Sequence, residues 1–424
     1  PTGPIMNRRD FLQFAGASLA LSPFALGQDT DKPARIAIIG VGGRGTSLLR
    51  TMLKLPNVGI PAICDIDPSH LARACSMCEK ALGKKPEGYS MGPYDYRRML
   101  ARDDFDGVLI ATPAELHAEM AIDSMKLGKS VGSEVPGAYK LQDCWDLVDT
   151  KEQTGKRYML LENYFYSPVR MMVHNMVHRG ALGEPCYAEC SYIHDCRSLR
   201  FSAKGELTWR GEGKRDNYGC LYPTHSLGPI AKWFDINRGD VMTELTSVMS
   251  PAVAISHYAA KRFGADSPQA KIPFKNGDMS VTHVKTAKGK LITVFYDSDS
   301  PRPCNNFYLI QGTKGLYDSR KGIHIEGRTK RERYDHSNDY MEEFRHDYWR
   351  DRGEEAKKTG HGGGDYFVVS DFVEMVRHDR EPFIDVYDSA AWSSLVELSK
   401  QSIDGKKTIE MPDFTRGKWK TRKA

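Results

Sequence analysis

Two regimes of apolar spacing divide the chain. From about residue 34 to 160, short apolar runs alternate with stretches of helical spacing. "ARIAIIG", "VGIPAICDID", "FDGVLIATP" and "GKSVGSEVP" read as strands, with helical patterns between them. Strands alternating with helices predict a doubly wound parallel sheet, the Rossmann arrangement. Beyond residue 160 the spacing changes. "EPCYAECSYIHDCR" alternates like a half-buried strand, and "GDMSVTHVKTAKGKLITVFYDSD" reads as a hairpin through Lys288 and Gly289. "NNFYLIQGTKGLYDSRKGIHIEG" adds two more strands around turns. These runs predict a large, mostly antiparallel, open-faced sheet. "YFVVSDFVEMVRH" and "SAAWSSLVELSKQSI" repeat at helical spacing, which makes the second unit α+β. The fold expectation is α/β: a Rossmann domain at 34–160 and an α+β domain at 161–424, with substrate held between them.

Length agrees, since 424 residues exceed one ordinary core. Charged residues make up 27 % and the net charge is +5, with basic residues spread along the chain. The densest cluster, "GRTKRER" at 327–333, reads as a solvated turn, so no nucleic-acid partner is expected. Residues 1–28 read differently. Arg8 and Arg9 precede Asp-Phe-Leu and a short apolar run broken by Pro23, with Ala25 and Gly27 at a cleavage-type position. That run is too short to span a membrane. It resembles a twin-arginine export signal, which implies a periplasmic or secreted protein. The five residues ahead of Met6 are compatible with an added tag.

The nine cysteines show no framework spacing. Cys75 and Cys78 form a lone pair in a helical pattern, and His174 and His178 lack a glutamate between them at the zincin position. No metal site is expected.

Chemistry enters at "GVGGRG". Gly40, Gly42 and Gly45 give GxGxxG between a strand and a helix, so the backbone can approach a pyrophosphate at the helix N-terminus. Asp65 follows 20 residues after Gly45, at the end of the next strand. A carboxylate there accepts from the adenosine ribose hydroxyls and repels a 2′-phosphate, which favours NAD over NADP. In "CLYPTH", Tyr222 and His225 lie three positions apart, and both rings can pass protons.

The first half resembles the oxidoreductases related to glucose–fructose oxidoreductase and inositol dehydrogenase, through "ATPAELH" and "GKSVGSEVP". Many dehydrogenases of that group carry Glu-Lys-Pro, with the lysine moving the sugar's proton. This chain has Glu134-Val135-Pro136. The whole chain resembles glycoside hydrolase family 109, the NAD-dependent N-acetylgalactosaminidases. The matching pieces are "GVGGRG", "EVPGA", "LLENYFY", "SYIHDCR", Trp209-Arg210, "LYPTH", "DINRGD", "RPCN", "QGTKG", "HGGGDYF" and "PDFTRGKWK".

That resemblance implies a glycosidase that transiently oxidises C3 of the sugar, eliminates across C1 and C2, adds water and reduces C3 again. It implies NAD tightly bound and recycled within each turnover, and a small-molecule or glycan substrate. Cofactor contacts are expected at Gly40, Gly42, Gly43, Arg44, Gly45, Asp65, Ala114, Glu115, Leu116, His117, Glu134, Val135 and Asn163. His225 is expected to take the C3 hydroxyl proton, and Tyr222 and Tyr166 to transfer protons at C2 or the leaving group. Tyr192, Arg210, Tyr222, Pro223, Thr224, His225 and Cys304 are expected around the sugar. Cys304 stands where the family usually has tyrosine, and the segment before Trp209 is shorter than usual, which leaves sugar and anomer open. A homo-oligomer is also open. Two other readings remain: an NAD-linked sugar dehydrogenase that uses His225, and a non-catalytic sugar-binding protein.

Overall fold

The computed structural model describes residues 32–423, so the expected leader at 1–28, with Arg8 and Arg9, lies outside the described residues. The first sheet contains β1 (Ala34–Ile39), β2 (Val58–Gly59), β3 (Ala62–Cys64), β4 (Glu87–Tyr89), β5 (Gly107–Ile110), β6 (Ser130–Ser133) and β7 (Tyr158–Leu160). Their order is β4-β3-β1-β5-β6-β7, with β2 beside β1, and every pairing is parallel. Such a sheet is covered on both faces, which is why β5 and β6 are buried along their whole length.

Helices Gly43–Met52, Pro68–Leu82, His117–Lys126 and Leu141–Thr154 connect these strands. Pro68–Leu82 starts where Asp67 accepts from the amides of Ser69 and His70, and it stops at Gly83, whose φ is 70°. The C-terminal half of the chain also covers this sheet. Helix Gly364–His378 packs on β1, and a Cβ on Gly132 of β6 would lie 2.7 Å from the Phe372 ring. Glycine at 132 therefore lets that helix lie close.

The second sheet contains β8 (Pro185–Ile193), β9 (Met242–Met249), β10 (Ser280–Thr286), β11 (Leu291–Asp297), β12 (Tyr308–Gly312), β13 (Gly315–Asp318), β14 (Gly322–Ile325) and β15 (Ile409–Glu410). The order is β14-β13-β12-β8-β11-β10-β9-β15. All pairs are antiparallel except β8 with β11. The expected hairpin at Lys288-Gly289 joins β10 to β11. Helix Thr224–Trp233, buried at every position, lies against β8 and brings His225 to Glu162, just past β7 of the first sheet. Among the described residues no helix is long and apolar enough to cross a membrane.

Candidate active site

β1 ends in the glycine turn. A Cβ on Gly40 would stand 2.7 Å from the Ala111 carbonyl oxygen, and one on Gly45 would overlap the Gly40 carbonyl. These two glycines pack strand against helix. Gly42 and Gly43 differ: among the described residues the nearest neighbour to a Cβ on Gly42 is the His70 ring at 3.9 Å, and Gly43 has none within 4 Å. The open space thus lies at the N-terminus of helix Gly43–Met52, which has no side-chain cap and no acidic residue in its first turn. Unpaired amides and the helix dipole favour an anion there.

Asp65, at the end of β3, is buried. Its carboxylate accepts from the Val41 amide at 2.7 Å and the Asp67 amide at 2.8 Å, which fixes its direction and leaves further acceptor positions. Ile66 beside it is 69 % exposed, an apolar shelf next to the ribose acceptor.

Arg44 leaves the glycine turn and meets two carboxylates, Glu134 at 2.6 Å and Asp365 at 2.8 Å. Burial opposes its charge, and Glu134 and Asp365 override that, raising its pKa. Asp365, wholly buried, also accepts from Asn163 Nδ2 at 2.7 Å and pairs with His361 at 2.9 Å. Its own burial is overcome by His361 and Arg44, which hold its carboxyl well below the usual range. Asn163 is buried, and its Oδ1 has no hydrogen-bond partner among the described residues. An orphaned buried acceptor beside a glycine cradle and a fixed ribose-type carboxylate fits a dinucleotide.

His225 forms the other half of the site. Its Nδ1 lies 2.7 Å from Oε1 of Glu162, and its backbone carbonyl accepts from Tyr308 at 2.6 Å. Tyr164 stacks on the imidazole with centroids 4.0 Å apart and planes at 8°. Tyr192 lies at 5.8 Å, and Tyr222 meets the ring edge-on at 5.2 Å. Burial raises the Tyr222 pKa well above the ordinary value, with Glu134 adding to the rise and Arg44 opposing it. Its phenol is therefore held protonated. Nearby, an open cleft of about 400 Å³ is lined by His194, Asp195, Arg197, Arg302 and Cys304 together with two prolines. Tyr164, stacked on His225, lies 6.5 Å from the ring of His361, which shares Asp365 with Arg44, so the histidine–tyrosine pocket adjoins the nucleotide cradle, an arrangement suited to redox chemistry on a small polar substrate.

Residues 34–162 match the oxidoreductase family with the NAD-binding Rossmann fold, and residues 166–421 match "Glycosyl hydrolase 109, C-terminal domain". A glycosyl hydrolase family 109 protein of Stenotrophomonas maltophilia is 37 % identical over 99 % of this chain and 97 % of its own length. The chain belongs to glycosyl hydrolase family 109. An alpha-N-acetylgalactosaminidase of Shewanella oneidensis is 36 % identical over 99 % of this chain and 98 % of its own. Among solved structures, levoglucosan dehydrogenase in complex with NADH superposes with a TM-score of 0.69 at 18 % identity, over 90 % of this chain and 100 % of that one. The WlbA dehydrogenase of Bordetella pertussis, in complex with NADH and UDP-GlcNAcA, gives 0.65 at 17 %, over 90 % and 99 %. At that identity the two structures speak for the fold. The chain is an NAD-dependent glycoside hydrolase with an NAD-binding Rossmann domain.

The structure of this family 109 enzyme sorts the expected site residues. It brings His225, Tyr222 and Tyr192 together, and it gathers Gly42, Gly43, Arg44, Asp65, Glu134 and Asn163 around the cradle and its Arg44 network. Glu115 and Leu116 are exposed, while Ala114 and Val135 are buried. His117 is buried, with its ring nitrogens 2.8 Å from the Pro136 carbonyl and 3.0 Å from the Thr112 carbonyl, so it clasps the loop after β6. Arg210 is exposed and stacks over Trp209 at 4.0 Å. Pro223 and Thr224 are buried, and the Thr224 hydroxyl has no hydrogen-bond partner among the described residues.

Tyr166 is corrected. It is wholly buried and donates to Asp371 at 2.9 Å within a cluster with Tyr348 and Phe367, and burial raises its pKa far above normal. A phenol committed to a core carboxylate is not placed to act on a sugar.

Sequence reasoning missed Glu162, Tyr164, His361 and Asp365. All four lie in "LLENYFY" and "HGGGDYF", stretches already singled out as matching pieces. Strict alternation breaks down in "ENYFY": Tyr164 points to the site, whereas Phe165 and Tyr166 both point to the core, so the spacing carried no signal that separates the two tyrosines.

Proposed function

We propose that this enzyme hydrolyses N-acetylgalactosaminides, or a closely related glycoside, by transient oxidation of the sugar at C3, and that it is exported by the twin-arginine route with NAD already tightly bound. The observation that carries this reading is the His225 pocket. It sets a base whose Nδ1 is engaged beside the nucleotide cradle, in a chain with Val135 where related dehydrogenases have a lysine. The name of the Shewanella oneidensis relative supports the substrate class.

Gly42, Gly43, Asp65 and Asn163 would hold NAD, which supplies reversible hydride exchange at C3. His225 takes the C3 hydroxyl proton through its outer nitrogen and later returns it. While C3 is a ketone, the C2 hydrogen is acidic and the C1 substituent can leave by elimination. No pair of flanking carboxylates is needed. Tyr222, held protonated in the free protein, transfers a proton at C2 or to the departing oxygen. Tyr192 and Arg210 orient the ring, and Cys304 faces the cleft where the aglycone leaves.

Turnover distinguishes the readings. Purified protein given aryl α- and β-N-acetylgalactosaminides should release aglycone with no added NAD and no net NADH. Stoichiometric NADH without aglycone would instead identify a sugar dehydrogenase. Binding of sugar with neither product would identify a binding protein.

A further inference from the structure

Glu162 is wholly buried, and His225 is its only ion-pair partner among the described residues. A buried carboxylate is costly unless its lone pairs are used. Here the Tyr164 amide donates to Oε1 at 2.7 Å and the Phe165 amide to Oε2 at 3.0 Å, so the side chain turns back on its own strand end and is held rigidly. Helix Thr224–Trp233 makes room for it, since a Cβ on Gly228 would stand 3.2 Å from Oε2. His225 is fixed in turn by the Tyr308 hydrogen bond to its carbonyl and by the Tyr164 ring stacked on its face.

Among the described residues the other aromatic rings against the imidazole are the phenols of Tyr192 and Tyr222. Arg170 lies 5.2 Å from the centroid of Tyr164, the ring stacked on the histidine, and 4.5 Å from that of Tyr308. Arg44 and Glu134 act on Tyr222, Glu134 raising its pKa and Arg44 opposing that rise.

We propose that Glu162 is the positioning residue of this site: it accepts the Nδ1 proton of His225, so that Nε2 presents its lone pair to the sugar hydroxyl, and it stabilises the imidazolium that forms. The inference rests on the reading of His225 as the base. In the step concerned the sugar O–H bond breaks and an Nε2–H bond forms. The electron pair left on oxygen becomes the carbonyl bond as C3 gives up its hydride, which NAD held at the glycine cradle would accept. Glu162 stays ionised throughout, and the reverse step restores every proton. A carboxylate on Nδ1 fixes the tautomer and raises the basicity of the other nitrogen.

The test uses the NAD-loaded full chain, an aryl N-acetylgalactosaminide and the pH dependence of kcat. Wild-type turnover is measured first; if no aglycone appears, the parent reading fails, whatever Glu162 does. With wild-type turnover in hand, Glu162→Gln should lower kcat by about 10²–10⁴-fold, the range for lost acid–base assistance. KM and bound NAD should stay near wild type. The acid limb of the profile should move to lower pH, because the imidazole loses its carboxylate and binds a proton less tightly. Glu162→Asp, which keeps the charge one methylene further back, should retain the wild-type limb with a smaller loss of kcat. Unchanged kcat in Glu162→Gln overturns the proposal. So does a lowered kcat with an unmoved acid limb, the result expected of mere packing. If Glu162→Gln fails to fold, Glu162→Asp decides alone: a displaced limb refutes the proposal, and a retained limb with reduced kcat supports it.

Discussion

Gly42→Ala and Gly45→Ala should fail in opposite ways. At Gly45 the added methyl would overlap the Gly40 carbonyl oxygen, with the Ala111 side chain also within 3.4 Å. Backbone cannot move aside as a flexible side chain can, so strand and helix must separate. Overpacking of this kind costs about 1–3 kcal/mol or more. At Gly42 the methyl would meet only the His70 ring at 3.9 Å, and the backbone φ is −63°, within reach of alanine. Stability there should change by less than about 1 kcal/mol. The methyl occupies the space in front of the helix amides, where the pyrophosphate must come close. Losing one charge-assisted bond of about 1.5–3 kcal/mol weakens NAD by roughly 10–100-fold. Urea unfolding of the cofactor-free proteins, together with calorimetric NAD titration, reads both effects. Gly42→Ala that binds NAD normally, or that unfolds as readily as Gly45→Ala, would refute the assignment of this turn as the cofactor cradle.

Asp65→Asn keeps a neutral acceptor for one of the two amides at Val41 and Asp67 but removes the charge, so NAD retention should fall by roughly 10–100-fold; retention equal to wild type contradicts the ribose role. Asp388 is buried, and Arg238 and Lys232 override the cost of that burial to hold its carboxyl at about 2. A depressed carboxyl stabilises the fold fully above its unfolded value near 3.9, and the benefit is lost as pH falls towards 2. Thermal melts should therefore drop between pH 4 and 2. Arg238→Met should cost about 3–5 kcal/mol at pH 7 and make that acid slope shallower; an unchanged slope refutes the coupling. Replacing Arg8 and Arg9 by lysine should trap the protein, with its NAD, in the cytoplasm, and normal accumulation outside would remove the twin-arginine argument.

The periodicity made the two sheets legible because each is regular: paired apolar runs in the first, alternation in the second. The glycine turn and Asp65 were legible because cofactor binding demands fixed residue types at fixed spacing. Glu162 was not, since its meeting with His225 spans 63 positions and depends on helix Thr224–Trp233 crossing β8. The choice of Tyr166 over Tyr164 failed for a local reason. The strand-end turn after β7 sends one tyrosine onto His225 and the other into the Tyr348 cluster, and both look alike in "YFY". Nor does a linear reading show that Arg44 would be tied up by Glu134 and Asp365, which lie 90 and 321 positions away.

The central claim, glycoside cleavage through C3 oxidation at the His225 pocket, is tested most directly by running the reaction in D₂O and examining C2 of the released sugar. The account predicts deuterium at C2 from the wild-type enzyme, and exchange and aglycone release slowed together in His225→Ala, by about 10²–10⁴-fold, with NAD still bound. Aglycone release with only hydrogen at C2, and no primary isotope effect from a C2-deuterated substrate, would contradict it.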